Sequence, residues 1–138
     1  MLFRSPKNLD VYTDTDLASS KRDRKSVGCQ VVRCAGCTLF TSVSGQAIWA
    51  TSSGEAEFYA LVKGASELLD MLSIAKDLNI VLHGHLHSDS SAAIGMTQRR
   101  GLGKVKHMHT HNFCGCKNEC VRKTLSCTKN ALTETVLT

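Results

Sequence analysis

Five carboxylates stand out by position. Asp14 and Asp16 lie two residues apart at the end of "LDVYTDTD", Glu55 and Glu57 two apart in "SSGEAEF", and Asp89 follows "LHS". Acidic side chains gathered in one crevice bind hard divalent cations through oxygen. The same residues also have plain structural uses, in turns and at helix starts, so spacing alone leaves both readings open. On a helix, residues two apart point to nearly opposite sides, which separates the two glutamates. With Ser52 as cap, Glu55 stands three residues on, where a capping box places its carboxylate. Glu57 instead shares a line with Leu61, Gly64, Leu68 and Leu72 and leans toward the packed face. A carboxylate there is costly unless something pairs with it, and a divalent cation does. Asp14 continues the alternation before it, whereas Asp16 is expected in the turn beyond.

The elements that must position these acids are legible in outline. Residues 9–14, "LDVYTD", alternate with the period of a strand, and the basic turn "SSKRDRKS" follows. "VGCQVVRCAGCTLFTSV" reads as two β-rich runs around a hairpin turn at Gly36, with "QAIWA" as a third β-rich run. The clearest helix spans 54–78, where Phe58, Leu61, Ala65, Leu68, Leu72 and Ala75 recur at helical steps. "NIVLHGHLHSD" resumes strand character, "SSAAIGMTQ" suggests a short helix, and a weaker helical stretch is expected over 106–122. The tail "LSCTKNALTETVLT" supplies one more strand at most. Strands first, then helix alternating with strand, predict an α/β fold with a mixed sheet of four or five strands and helices packed on it.

Composition narrows the function classes. The chain has 138 residues, 42% apolar and 21% charged, the size and balance of one globular domain over 1–138. No apolar run approaches a membrane span. The start "MLFRSPKNLD" is too short and polar for a secretory signal, so the expected setting is intracellular, cytoplasmic or nuclear. Seven cysteines, an odd number at irregular spacing, read as reduced thiols rather than a disulfide framework. The net charge of +5 is clustered in "KRDRK" (21–25), "RRGLGKVK" (99–106) and Lys117, Arg122, Lys123 and Lys129, a pattern compatible with a polyanion such as nucleic acid.

Three segments in order, "YTDTDLAS", "SSGEAEFYAL" and "HSDSSAAI", resemble the ribonuclease H domain of copia-type LTR retrotransposon polyproteins. "RDRKS" after the first and "GLGKVKH" after the third match further landmarks, and the resemblance covers about residues 9–111. It implies the ribonuclease H fold and places the family's three leading acids on Asp14, Glu57 and Asp89. It further implies two Mg²⁺ ions, or Mn²⁺, about 4 Å apart, serving cleavage of the RNA strand of an RNA–DNA hybrid. Hybrid binding would be to backbone and 2′-hydroxyls, with Arg99, Arg100, Lys104 and Lys106 as phosphate contacts. The reverse transcriptase domain of the same polyprotein is the implied protein partner.

The chain also departs from that pattern. Leu17 replaces a tryptophan, "HMH" puts His109 on an acidic position, and "NFCGCKNECVRK" replaces an aromatic helix. The fourth acid of the family falls on Glu134 when "TKNALTETVLT" is aligned without a gap; aligned on "ALT", it is deleted. The chain stops where a last helix would begin, as in a decayed or truncated element copy. Two other classes stay open: a non-catalytic remnant that binds nucleic acid, and a small zinc module. The zinc reading draws on His107, His109, His111, Cys114, Cys116 and Cys120, with "CAGC" placed in a hairpin. His83, His85 and His87 share one strand face and are expected to be satisfied or solvated rather than ligands.

Overall fold

The computed structural model describes residues 7–98 and the backbone of 125–128. The described elements are β1 (Asn8–Asp16), β2 (Val27–Cys34), β3 (Cys37–Gly45), α1 (Ser53–Asp77), β4 (His83–His87), α2 (Ser91–Gln98) and β5 (Leu125–Thr128). They build one five-stranded sheet in the order β3-β2-β1-β4-β5. β1, β2 and β3 form an antiparallel meander, while β4 pairs parallel to β1 and β5 parallel to β4. The sheet is mixed, as the sequence predicts. No helix among the described residues is long and apolar enough to cross a membrane.

The core lies between α1 and the sheet. Leu9, Val11 and Thr13 alternate inward from β1 and are joined by Val32 of β2 and Leu86 of β4, all buried. From α1, Phe58, Leu61, Ala65 and Leu68 meet them, the apolar line that its helical spacing predicts. Burying Phe58, Leu61 and Leu68 fully contributes about 1.5–3 kcal/mol each. The helix can come this close because Gly64 faces β1: a Cβ there would stand 2.5 Å from Thr13 Cγ2 and 3.1 Å from Leu86 Cδ1.

Both ends of α1 are closed by local chemistry. Ser52 Oγ accepts the Glu55 N–H at 3.2 Å, as a capping serine should. The returning bond differs from the expected box. Glu55 Oε2 accepts the N–H of Thr51 at 2.8 Å and its hydroxyl at 2.5 Å, while Oε1 accepts the Tyr59 hydroxyl at 3.0 Å. Burial and this carboxylate together push the Tyr59 hydroxyl up to about 12. At the far end Asn79 takes the left-handed conformation, φ 58°. Its N–H reaches Lys76 O and the Ile80 N–H reaches Ala75 O, a Schellman closure. Ser52→Ala should cost about 1 kcal/mol of stability, measured as a lower urea midpoint with unchanged slope.

Three expectations need correction. "QAIWA" is not a strand: β3 ends at Gly45, and Gln46 spends its hydrogen bonds on the Ser26 and Ala56 carbonyls instead of a ladder. That turns the chain off the sheet toward the cap of α1. Asp16 is not in the turn, because β2 extends to Val27 and pairs with it; the turn begins beyond, where Ala18 has φ 52°. β4 is confined to His83–His87, since 79 and 80 close the helix. The hairpin at "CAGC" forms as expected, with positive φ at both Ala35 (51°) and Gly36 (84°), the signature of a two-residue type I′ turn.

Candidate metal centre

β1 and β4 run side by side with Tyr12 opposite His87, so Asp14 and Asp89 stand two residues further along each strand direction. The first turns of α1 pack against the same end, bringing in Glu57. Oxygen atoms of Asp14, Glu57 and Asp89 all lie within 4.8 Å of one another. Among the described residues this trio is the group of acidic, His or Cys side chains close enough to share an ion. Asp14 and Asp89 are exposed, whereas Glu57 is only 7% exposed. The line shared with Leu61 and Gly64 does turn Glu57 inward. Glu55 is buried too, at 4%, but its oxygens are engaged by Thr51 and Tyr59.

The electrostatics are those of a site short of positive charge. Burial, then the neighbouring Asp89 and Asp14 carboxylates, push the Glu57 carboxyl up to about 7, with hydrogen bonds from Thr15 pulling the other way. Glu57 Oε2 is buried without a hydrogen-bond partner among the described residues. Asp14 Oδ1 accepts the Thr15 N–H at 2.7 Å, which sets its orientation. Three carboxylates with one orphaned buried oxygen form an all-oxygen donor set, which suits Mg²⁺ or Mn²⁺ and can hold either. The residues present therefore fit a divalent cation.

Surrounding contacts hold the two strand ends in place. Thr13 Oγ1 donates to the His87 carbonyl at 3.2 Å, tying β1 to β4. The His87 ring stacks on Tyr12 with centroids 4.6 Å apart, and its Nε2 lies 3.0 Å from Asp10 Oδ1. His87 is thus a satisfied, buried histidine, as expected of that row, and His83 is exposed. Asp89 sits between the end of β4 and Ser90, whose Oγ accepts the Ala93 N–H at 3.2 Å and caps α2.

Glu134, Arg99, Arg100, Lys104 and Lys106 lie outside the described residues, as do His107, His109, His111, Cys114, Cys116 and Cys120. The sequence reading missed Asp10, the partner of His87, and Trp49, which lies in the misread "QAIWA" segment. The alternation of "LDVYTD" put Asp10 and Tyr12 on one face and could have flagged the first.

No family model matches the chain, and no curated protein matches it either. Solved structures do. LC11-RNase H1 in complex with an RNA/DNA hybrid aligns with TM-score 0.55 and 20% identity over 87% of this chain and 83% of its own. A second structure of LC11-RNase H1, isolated from compost by a metagenomic approach, gives TM-score 0.55 and 20% identity over 91% and 86%. The N-terminal RNase H domain of a Mycobacterium tuberculosis protein, fused to maltose-binding protein, gives 0.52 and 14% over 88% and 78%. These identities speak to architecture: the mixed sheet and its helices have the ribonuclease H fold.

Proposed function

We propose that the chain is a retrotransposon-type ribonuclease H that hydrolyses the RNA strand of RNA–DNA hybrids internally, with the help of divalent metal. The observation that carries this reading is the convergence of Asp14, Glu57 and Asp89 within 4.8 Å, in the setting of this fold. A hybrid bound to one structural neighbour gives it a substrate class.

In this reading Asp14, Glu57 and Asp89 hold the metal, and Glu134 is the candidate fourth acid. When bound, Mg²⁺ or Mn²⁺ supplies the positive charge that activates water and stabilises the leaving oxygen. The chain's own contribution is placement. Thr15 fixes Asp14 through its N–H, the buried start of α1 holds Glu57 away from bulk water, and the Ser90 cap steadies the loop carrying Asp89. Arg99, Arg100, Lys104 and Lys106 contact phosphates, so binding carries little sequence preference. The reading also takes residues 1–138 as one domain working inside the cell beside a reverse transcriptase.

A labelled RNA–DNA hybrid with Mg²⁺ or Mn²⁺ tests the proposal. Cleavage by this chain should stop on chelation and fall about a hundredfold or more in Asp14→Asn. Absence of metal-dependent cleavage, or equal cleavage by the variant, would sink it.

A further inference from the structure

Two loops at the Asp14 end of the sheet carry a feature that metal-assisted cleavage does not use. Asp16 pairs with Val27, and Val27 in turn with Gly45. The loops 17–26 and 46–52 therefore leave the sheet at the end where Asp14 lies, and the second leads directly into the helix bearing Glu57. They are stitched together. Gln46 N–H donates to the Ser26 carbonyl at 2.8 Å, and Lys25 Nζ to the Ala47 carbonyl at 3.0 Å. The Trp49 indole N–H donates to the Asp23 carbonyl at 2.8 Å, and the Lys25 ammonium lies 5.2 Å from the Trp49 ring centroid.

Trp49 is the chain's single tryptophan, and it is 65% exposed. A tryptophan that merely braced a loop would gain by burying its rings. This one is anchored through its polar edge while most of its surface stays in water. Lys21, Arg22 and Arg24, which flank in sequence the Asp23 and Lys25 that hold it, are all exposed, with Asp23 as the one acid in the run. Asp23 offsets little, since its 4.0 Å approach to Arg22 Nε is a solvated surface pair.

We propose that Trp49, Lys25 and the cations at 21, 22 and 24 form a binding site for an unpaired stretch of nucleic-acid strand. An exposed indole stacks a base without regard to sequence, and flanking cations track the phosphates. Bases inside a duplex are already stacked, so the occupant is single-stranded rather than the hybrid itself. The site deepens the nuclease reading by placing a single-stranded flank at the end of the sheet that carries Asp14. It rests on that reading only for its purpose, not for its binding.

The test is performed in EDTA, where no cleavage can occur. A fluorescein-labelled oligothymidine of about a dozen nucleotides should bind the wild-type chain and quench its single tryptophan. By anisotropy, Trp49→Ala should weaken binding about tenfold, Lys25→Ala severalfold, and Trp49→Phe should keep most of the affinity. Blunt RNA–DNA hybrid should bind all four proteins within about twofold, which also shows that the variants are folded. Wild-type fluorescence unchanged at saturation, or equal oligothymidine affinity in Trp49→Ala, would overturn the site. Asp14→Asn separates the two proposals: it should bind oligothymidine like the wild type whether or not it cleaves hybrid.

Discussion

Glu57→Gln is expected to make the metal-free protein more stable at pH 8 while abolishing metal-dependent cleavage. In the fold the Glu57 carboxyl titrates at about 7, against 4.5 for an ordinary glutamate. Between those values the native state binds more protons than the unfolded chain, so stability falls as pH rises. The cost is absent below about pH 4.5 and complete above about pH 7. Glutamine keeps the shape and removes the charge. In EDTA, its urea midpoint should match that of the wild type at pH 4.5 and exceed it at pH 8. Added Mg²⁺ should stabilise the wild type at pH 8 and not the variant, because only the wild type offers the third charged ligand. Parallel pH profiles for the two proteins would show that Glu57 is not under this strain.

Gly64→Val should destabilise the fold by about 3 kcal/mol in chemical denaturation. Helix propensity predicts the opposite sign, since glycine inside a helix is unfavourable. Contact geometry decides. A Cβ at Gly64 would meet Thr13 Cγ2 at 2.5 Å, and Thr13 cannot simply rotate away: it is buried, β-branched, and donates to the His87 carbonyl. Relief has to come from lifting α1 off β1, which would also pull Glu57 from Asp14. Loss of stability should therefore be accompanied by weaker metal binding. Gly84→Ala is the control. Its added carbon would meet Leu72 Cδ1 at 2.9 Å and the two Leu68 methyls at 3.2 and 3.3 Å, ends of flexible side chains. A loss at Gly64 no larger than at Gly84 would mean the helix is not seated as tightly as described.

Much of this architecture was legible along the chain because its causes are local. The alternation of "LDVYTD", the helical spacing from Phe58 to Ala75, the glycine turn in "CAGC" and the serine before "SGE" each act over a few residues, and each formed its element. The readings that failed were those settled by distant partners. "QAIWA" is apolar enough for a strand, but Gln46 is claimed by Ser26 and Ala56. Asp16 comes after the regular alternation and just before the basic turn, but Val27 offers it a ladder partner.

The same division runs through the functional residues. The sequence by itself determined which carboxylates were candidates, and helical geometry separated Glu57 from Glu55, because the angle between residues two apart is a property of any helix. Only the tertiary structure decided that Asp14, Glu57 and Asp89 meet within 4.8 Å. That required the parallel pairing of β4 with β1 and the seating of α1 at Gly64, contacts between segments far apart in the chain. It also decided that Trp49 lies against Lys25. Local spacing sets the direction of a side chain, whereas strand order and helix packing set what it meets.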